Sequence, residues 1–327
     1  MTRRLFARAE TWPLARPFAI SRGTKTEAQV VVAEVADGPR RGRGECVPYA
    51  RYGETVAQVL ADIEAMAGAV AGGLDRDALR AAMPAGAARN ALDCALWDLE
   101  AKAAGRRAWD LAGLPAPGPV TTAETIGVDT PAAMGARAAE LAARPLLKVK
   151  VDGAAVVERL AAVRAGAPGA RLVVDANEAW DLDLLRSVAG PLADLGVEMI
   201  EQPLPAGADG DLDGYAGPVV LCADESGHGV ADLDRLAGRY GMVNVKLDKT
   251  GGLTAALDLA AAARAAGLAV MVGCMVGTSL AMAPALLLAA DAAVVDLDGP
   301  VFLSRDRAPG LVIDNGTIHP PPADLWG

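Results

Sequence analysis

Apolar and polar positions alternate in two different ways along the chain. In the first part, FAIS (18–21) and QVVVAEVADG (29–38) read as strands, Asp37-Gly38 opens a turn, and GRGECVPY (42–49) supplies a further strand. PAGAARNALDCALWDLEAKAAG (84–105) sets Leu92, Cys94, Leu99 and Ala103 near helical spacing, with Pro84 just before its start and Gly105 at its end. A stretch rich in Pro and Gly, LAGLPAPGPV (111–120), then reads as a linker. Beyond it the rhythm changes. Short apolar runs end in charged residues, and an Ala/Leu-rich helical segment follows each of them. The runs are VTTAETIGV (120–128), LLKVKVD (146–152), RLVVDANE (171–178), EMIEQPL (198–204), VVLCADES (219–226), MVNVKLDK (242–249), AVMVGCM (269–275) and AVVDLDGP (293–300).

Eight strand-helix units predict an α/β fold: a parallel sheet closed as a (β/α) TIM-type barrel over 119–304, behind an N-terminal α+β unit over 1–118. The tail, 305–327, is expected to complete the first unit. Spacing supports the barrel, since 25 residues separate Lys150 from Asp175, then 26, 23 and 22 lead to Glu201, Asp224 and Lys246. The alternative, a doubly wound open sheet, lacks a glycine fingerprint after its first strand.

Composition narrows the partners. The chain has 327 residues, 52% hydrophobic and 22% charged, which permits a large core. A net charge of −10 disfavours nucleic acid, because phosphate binding needs a basic surface. Cys46, Cys94, Cys222 and Cys274 are scattered, as expected of reduced thiols in a cytoplasm. The N-terminus lacks the apolar stretch of a signal peptide, and LAMAPALLLAA (280–290) is too short to span a membrane. Only His228 and His319 are present, which excludes a histidine-rich metal site. Both read as structural or loop residues.

Charge at the strand ends carries the chemistry. Asp175, Glu201 and Asp224 end the third, fourth and fifth strands, and converging carboxylates repel unless a cation sits between them. Oxygen-only ligation selects a hard ion, Mg²⁺, with Mn²⁺ as the alternative. The bland reading of any one of these Asp residues is a helix cap. Asn177 shares the face of Asp175, as a ligand-orienting group or a cap. Lys148 and Lys150 lie on one face of the second strand, and Lys246 ends the sixth, diametrically opposite in a ring of eight. Burial and a nearby cation are expected to lower a lysine pKa toward that of a neutral base. One lysine then removes a proton α to a carboxylate, and the other returns one to the opposite face. A structural ion pair is the competing reading for Lys148. Lys249 is expected on a loop beyond the strand end and is left out of the site.

KVK, DAN, EQP, ADES and VNVKLDKTGG, in this order and spacing, resemble the enolase superfamily in its muconate-lactonising subgroup. The resemblance covers nearly the whole chain, with GECVPYARYGE (44–54) and PAGAARNALDCALWDL (84–99) similar to its capping domain. It implies an enolase-like barrel with an α+β capping domain, and a Lys or His base working with Mg²⁺. Asp296 and Asp298, two apart on the eighth strand, resemble the acidic pair of dipeptide epimerases, which receives the substrate's α-ammonium. The pattern is most similar to the L-Ala-D/L-Glu epimerases of murein-peptide recycling in bacterial cell-wall metabolism.

By this resemblance Mg²⁺ is held by Asp175, Glu201 and Asp224, Lys150 and Lys246 are the acid/base pair, and Lys148 supports the developing charge. A capping loop, SRGTKTEA (21–28), is expected to close over the barrel mouth. Arg22 and Lys25 would there meet the substrate's side-chain carboxylate. Tyr49, Arg51 and Tyr52 form a second lid segment. Cys274 has two readings, a residue lining the pocket beside the substrate amide or, the favoured one, a small buried thiol, and backbone N–H groups near Met275, Gly277, Thr278 and Ser279 read as partners of the peptide carbonyl. The expected partner is a small dipeptide, with neither nucleic acid nor membrane, and a homo-oligomer is left open. Cycloisomerase or dehydratase chemistry on the same scaffold, or epimerisation of another dipeptide, are the alternatives.

Overall fold

A computed structural model describes residues 2–327. Its first unit is a three-stranded antiparallel sheet, β1 (Arg4–Ile20), β2 (Gly23–Asp37) and β3 (Arg40–Cys46), with helices behind it. Alternation divides β2 between two cores. Val31, Ala33 and Val35 meet Leu92, Ala95 and Leu99 of the long helix Ala87–Ala104, whereas Val30 packs with Val47 and Met275 on the barrel side. The helix lies so close to β3 that a Cβ on Gly42 or Gly44 would come within 2.1 Å of the Ala95 or Ala91 carbonyl oxygen. Glycine at those two positions is therefore a packing requirement.

The hairpin differs from the expected strand pair with a loop over 21–28. β1 begins fourteen residues earlier than FAIS, and β2 starts at Gly23, so only Ser21 and Arg22 turn the chain. Pro13 and Pro17 hide the alternation of β1 in the sequence, and the pairing register shifts between Pro13 and Phe18.

The second unit is the barrel. Its eight parallel strands lie side by side in chain order: Glu124–Ile126, Leu146–Lys150, Arg171–Asp175, Val197–Glu201, Val220–Ala223, Met242–Val245, Ala269–Gly273 and Val294–Asp296. The Ala123 N–H donates to the Val295 carbonyl (2.8 Å), and the Leu297 N–H to Thr122 Oγ1 (2.9 Å), joining last to first. Two of the segments that follow strands depart from the expected helices. A 3₁₀ turn, Asp209–Leu212, follows the fourth strand, and another, Gly299–Phe302, follows the eighth. The stretch after the fourth strand, PLPAGADGDLDG (203–214), is too rich in Pro, Gly and Asp for an α-helix. The expected first run, 120–128, is also divided. Val120–Thr121 pairs with Thr317–Ile318 of the tail, and the barrel strand proper starts at Glu124.

Barrel filling fixes where the chemistry lies. Ala123, Leu146, Val173, Met199, Cys222, Met242, Met271 and Val294, one from each strand segment, form a closed apolar layer at the base. Two residues on, the inward positions become Thr125, Lys148, Asp175, Glu201, Asp224, Asn244, Gly273 and Asp296. A charged floor thus rests on an apolar plug. No helix among the described residues is long and apolar enough to cross a membrane.

Candidate active site

The three predicted metal carboxylates are fully buried on adjacent strands, and the lysines interleave them. Lys148 Nζ stands 2.6 Å from Glu201 Oε2, 2.7 Å from Asp296 Oδ2 and 3.1 Å from Asp175 Oδ2. Lys150 is hydrogen-bonded to Asp175. Lys246 Nζ donates to Asp224 Oδ2 at 2.7 Å. The ion-pair reading of Lys148 is thus realised. Among the described residues no three carboxylate, imidazole or thiol groups are drawn together as a ready metal cage. Even so, Glu201 Oε2, Asp224 Oδ1 and Asn177 Oδ1 are buried without a well-directed hydrogen bond. A buried amide oxygen without a donor, Asn177 Oδ1, beside carboxylate oxygens met only by lysine ammonium groups, matches the needs of a hard divalent cation.

The titration of these groups follows from their charges. Burial raises the Asp175 carboxyl, but Lys150 and Lys148 outweigh it and hold the group well below the usual range. Burial also works against ionised Asp224, and Lys246 with Lys249 overcome it. Glu201 goes the other way, to about 7, through burial and the neighbouring Asp175. Carboxylates dominate the titration of Lys148 and Lys246. Burial favours the neutral amine of Lys246, yet Asp224 and then Glu201 hold it well above the ordinary value, and Asp296 and Glu201 do the same for Lys148.

A cavity of about 500 Å³ opens above this floor. Lys150 and Lys246 line it, with Asp224, Asn177, Cys274 and Met275 from the barrel and Phe18, Arg22, Lys25 and Tyr49 from the capping unit. Two loop residues at its rim, Asn177 and Glu178, adopt left-handed φ values of 46° and 67°. Such conformations cost about 1–3 kcal/mol each and persist where surrounding contacts dictate them. Here the Asn177 N–H is bound to Asp175 Oδ1 (2.8 Å) and its carbonyl accepts from Arg22 (2.9 Å).

Arg22 and Lys25 have different surroundings. Arg22 is consumed by the protein, with Nη2 on Glu225 Oε1 (2.8 Å) and the Tyr49 hydroxyl (2.9 Å), and Nη1 on the Asn177 carbonyl. Arg51 adds a two-pronged contact to Glu178, at 2.7 Å and 2.7 Å. Lys25 Nζ lies 5.3 Å from the centre of the Tyr49 ring and has no ion pair among the described residues.

Asp296 ends the eighth strand, whereas Asp298 lies beyond it, at the start of the 3₁₀ turn Gly299–Phe302, and neither borders the 500 Å³ cavity. Asp296 Oδ2 belongs to Lys148, while its Oδ1 is buried without a partner. Asp298 accepts the Thr125 N–H (2.8 Å) and borders an adjoining groove of about 480 Å³ that shares Phe18 and Thr24 with the cavity. Burial and Asp296 push its carboxyl up to about 8.

Sequence reading missed three groups at this site. Asn244 donates from Nδ2 to Glu201 Oε1 (2.7 Å), and its signal was the inward phase of the sixth strand. Lys249 is not on a loop. It lies in the short helix Leu247–Thr250, wholly buried, with Nζ 2.8 Å from Asp224 Oδ1. Gln202, at φ 35°, accepts the backbone N–H groups of Asp224 (2.9 Å) and Ser226 (3.0 Å). His228 is a loop residue against the Glu225 carbonyl, as expected.

Comparison with known proteins agrees with this geometry. Residues 2–113 match the mandelate racemase / muconate lactonizing enzyme N-terminal domain, and residues 133–324 match the enolase C-terminal domain-like family. The chain is 49% identical to the L-Ala-D/L-Glu epimerase of Escherichia coli (strain K12), over 95% of this chain and 97% of that one. It is 43% identical to the N-acetyl-D-glutamate racemase of Pseudoalteromonas sp, over 91% and 95%. Among solved structures, an enolase family member from Agrobacterium tumefaciens, described as homologous to dipeptide epimerases and holding sodium and L-Ala-L-Glu, superposes with a TM-score of 0.97. It is 52% identical, with 99% of this chain and 100% of that one covered.

Proposed function

The chain belongs to the mandelate racemase / muconate lactonizing enzyme family with its enolase-like barrel, and from that premise we propose that it is an Mg²⁺-dependent dipeptide epimerase acting on L-Ala-D/L-Glu. The observation that carries the proposal is the pair Lys150 and Lys246, set on the second and sixth of eight strands and lining one cavity. Two amines on opposite sides of a substrate suit removal and return of one α-proton on opposite faces, and each outcome inverts that carbon.

Asp175, Glu201 and Asp224 are the residues that would hold the metal, with Asn244, Lys249 and Gln202 orienting them. When bound, Mg²⁺ supplies a Lewis acid that makes the carbon next to the substrate carboxylate more acidic. Lys148, fixed among carboxylates at the floor, supplies positive charge beside the reacting carboxylate. Asp296 and Asp298 take the α-ammonium. Burial and mutual repulsion keep Asp298 short of positive charge, and an arriving ammonium favours its ionised form. For the side-chain carboxylate we favour Lys25, which has no ion pair among the described residues, and assign Arg22 to fastening the hairpin tip.

We also place the protein in murein-peptide recycling in the cytoplasm. The Escherichia coli relative and four cysteines without disulfides support this placement. A second substrate reading, an N-acylated glutamate, draws on the racemase relative and on the neutral form that Asp298 favours.

In D₂O with Mg²⁺ and L-Ala-D-Glu, NMR is expected to show the glutamyl α-proton signal disappear as the other diastereomer grows in. Lys150→Ala and Lys246→Ala should each cost about 10²–10⁴-fold in rate. No exchange with any of a panel of dipeptides and N-acetylglutamate would sink the proposal, and a preference for N-acetylglutamate would replace the dipeptide.

A further inference from the structure

Four chain segments are joined through a buried carboxylate and its arginine partner outside the catalytic floor. Glu45, at the end of β3, is 1% exposed. Its Oε1 accepts the Thr278 N–H at 2.7 Å, and its Oε2 accepts the Thr278 hydroxyl at 2.5 Å. Arg307 from the tail donates to the same Oε2 from Nε (3.0 Å) and Nη2 (2.5 Å). Arg307 Nη2 also reaches Glu10 Oε2 of β1 at 2.7 Å. Next to it, Asp306 accepts the Ser279 N–H at 3.0 Å and is hydrogen-bonded to the Ser279 hydroxyl.

These bonds hold the start of a helix, Ser279–Ala285, whose cap is Thr278. Immediately before Thr278 the chain forms part of the wall of the catalytic cavity, through Cys274, Met275 and Val276. That wall has little freedom. Met275 is packed against Val30 and Val47 of the capping sheet. A Cβ on Gly277 would lie 3.1 Å from Glu45 Oε1 and 3.2 Å from Val47. Glycine lets the loop pass close to the carboxylate that holds it. Glu45 touches neither the lysines nor the metal carboxylates, so its influence on the reaction passes through the wall alone.

We infer that Glu45, paired with Arg307, is a positioning residue that sets the Cys274–Val276 wall of the substrate cavity from the capping side. The inference rests on the epimerase reading of the cavity. Glu45 acts on how the dipeptide is seated and leaves proton transfer by Lys150 and Lys246 untouched. A loose wall admits the substrate with fewer contacts, which is a loss of binding common to ground and transition states.

The test uses the full-length enzyme with Mg²⁺ and both diastereomers of L-Ala-Glu. Glu45→Ala is expected to raise KM by about tenfold or more, as loss of hydrogen bonds to a charged group implies, with kcat changed by less than about threefold. Glu45→Gln, which retains acceptors for Thr278, should recover much of the lost KM. Arg307→Met tests the partner should Glu45→Ala fail to fold. Hydrogen exchange at residues 274–279 should quicken in the variants, while calorimetric Mg²⁺ affinity stays unchanged. Folded variants with wild-type KM and unaltered exchange would overturn the inference, and so would a fall in kcat alone. Should wild-type enzyme epimerise nothing on the panel, the function reading fails by itself. Exchange at 274–279 then still decides whether Glu45 holds the wall.

Discussion

Lys25 and Arg22 carry the same formal charge three residues apart, yet only one has charge to offer a ligand. Arg22 is matched by Glu225, with Glu178 answering Arg51, so that group is internally neutral. Lys25 faces the cavity over an aromatic ring that stabilises a cation without neutralising it. Lys25→Met is therefore expected to raise KM for L-Ala-D-Glu by about 10–100-fold, the size of a charge-assisted hydrogen bond, and to spare dipeptides with uncharged second residues. Arg22→Met should weaken all substrates alike, because it unfastens the hairpin tip. Steady-state kinetics on an acidic and a neutral dipeptide separate the two, and equal losses in Lys25→Met would return the carboxylate to Arg22. The placement of the charged strand-end residues at the cavity floor was legible in the sequence at this scale because packing alone seldom puts an ionised side chain at the end of a Val-rich run. The partners of Arg22 were hidden, since its contact with Glu225 spans 203 residues. Asn244 was masked by lying uncharged between two valines, and Lys249 by a four-residue helix too short to leave a period.

At the scale of elements, the joint between the capping unit, the long helix and the short helix Leu247–Thr250 turns on Asp248. Its Oδ1 accepts the Val47 N–H (3.1 Å) and the Asn90 amide (2.7 Å), joining all three. Burial raises its carboxyl to about 7, with Glu54 and Glu45 adding to the rise and the two hydrogen bonds opposing it. The folded protein thus holds this proton where the unfolded chain has released it. The stabilisation is complete below about pH 4 and is lost as pH climbs through about 7. Asp248→Asn carries no such penalty. Relative to wild type it should gain on the order of 2–3 kcal/mol of stability between pH 5 and pH 8, since each pKa unit is worth about 1.4 kcal/mol. Urea unfolding at the two pH values measures this, and a difference that does not change with pH would remove the assignment. Elements were legible where period and punctuation agreed, as in the barrel strands and the helix ended by Gly105. The long hairpin was not, because two prolines interrupt β1, and pairing across the turn rather than local pattern makes it a strand.

Across the whole molecule, capping unit and barrel share a hydrophobic core. Val32, Cys94, Trp97 and Ala101 of the first belong to the same cluster as Val149, Leu253 and Val272 of the second. The tail fastens this joint. Trp326 is 1% exposed, and its indole donates to the Cys94 carbonyl at 3.0 Å. The Gly327 N–H reaches Asp98 Oδ1 at 2.8 Å, and Arg43 holds the carbonyls of Asp324 and Leu325. A core continuous across both units predicts one unfolding transition, with no state in which the barrel stands without its lid. Trp326→Ala should cost about 3–5 kcal/mol, as other large-to-small core changes do. Given the chain's size, that corresponds to a fall of roughly 4–7 °C in Tm. The shift should be the same by far-UV circular dichroism, which weights the barrel helices, and by tryptophan fluorescence, to which Trp97 and Trp109 of the capping side contribute. Because the lid supplies Phe18, Arg22, Lys25 and Tyr49 to the cavity, epimerase activity should disappear in the same transition. Activity lost well below the temperature at which circular dichroism changes would mean that the lid separates first and that the shared core does not couple the two units.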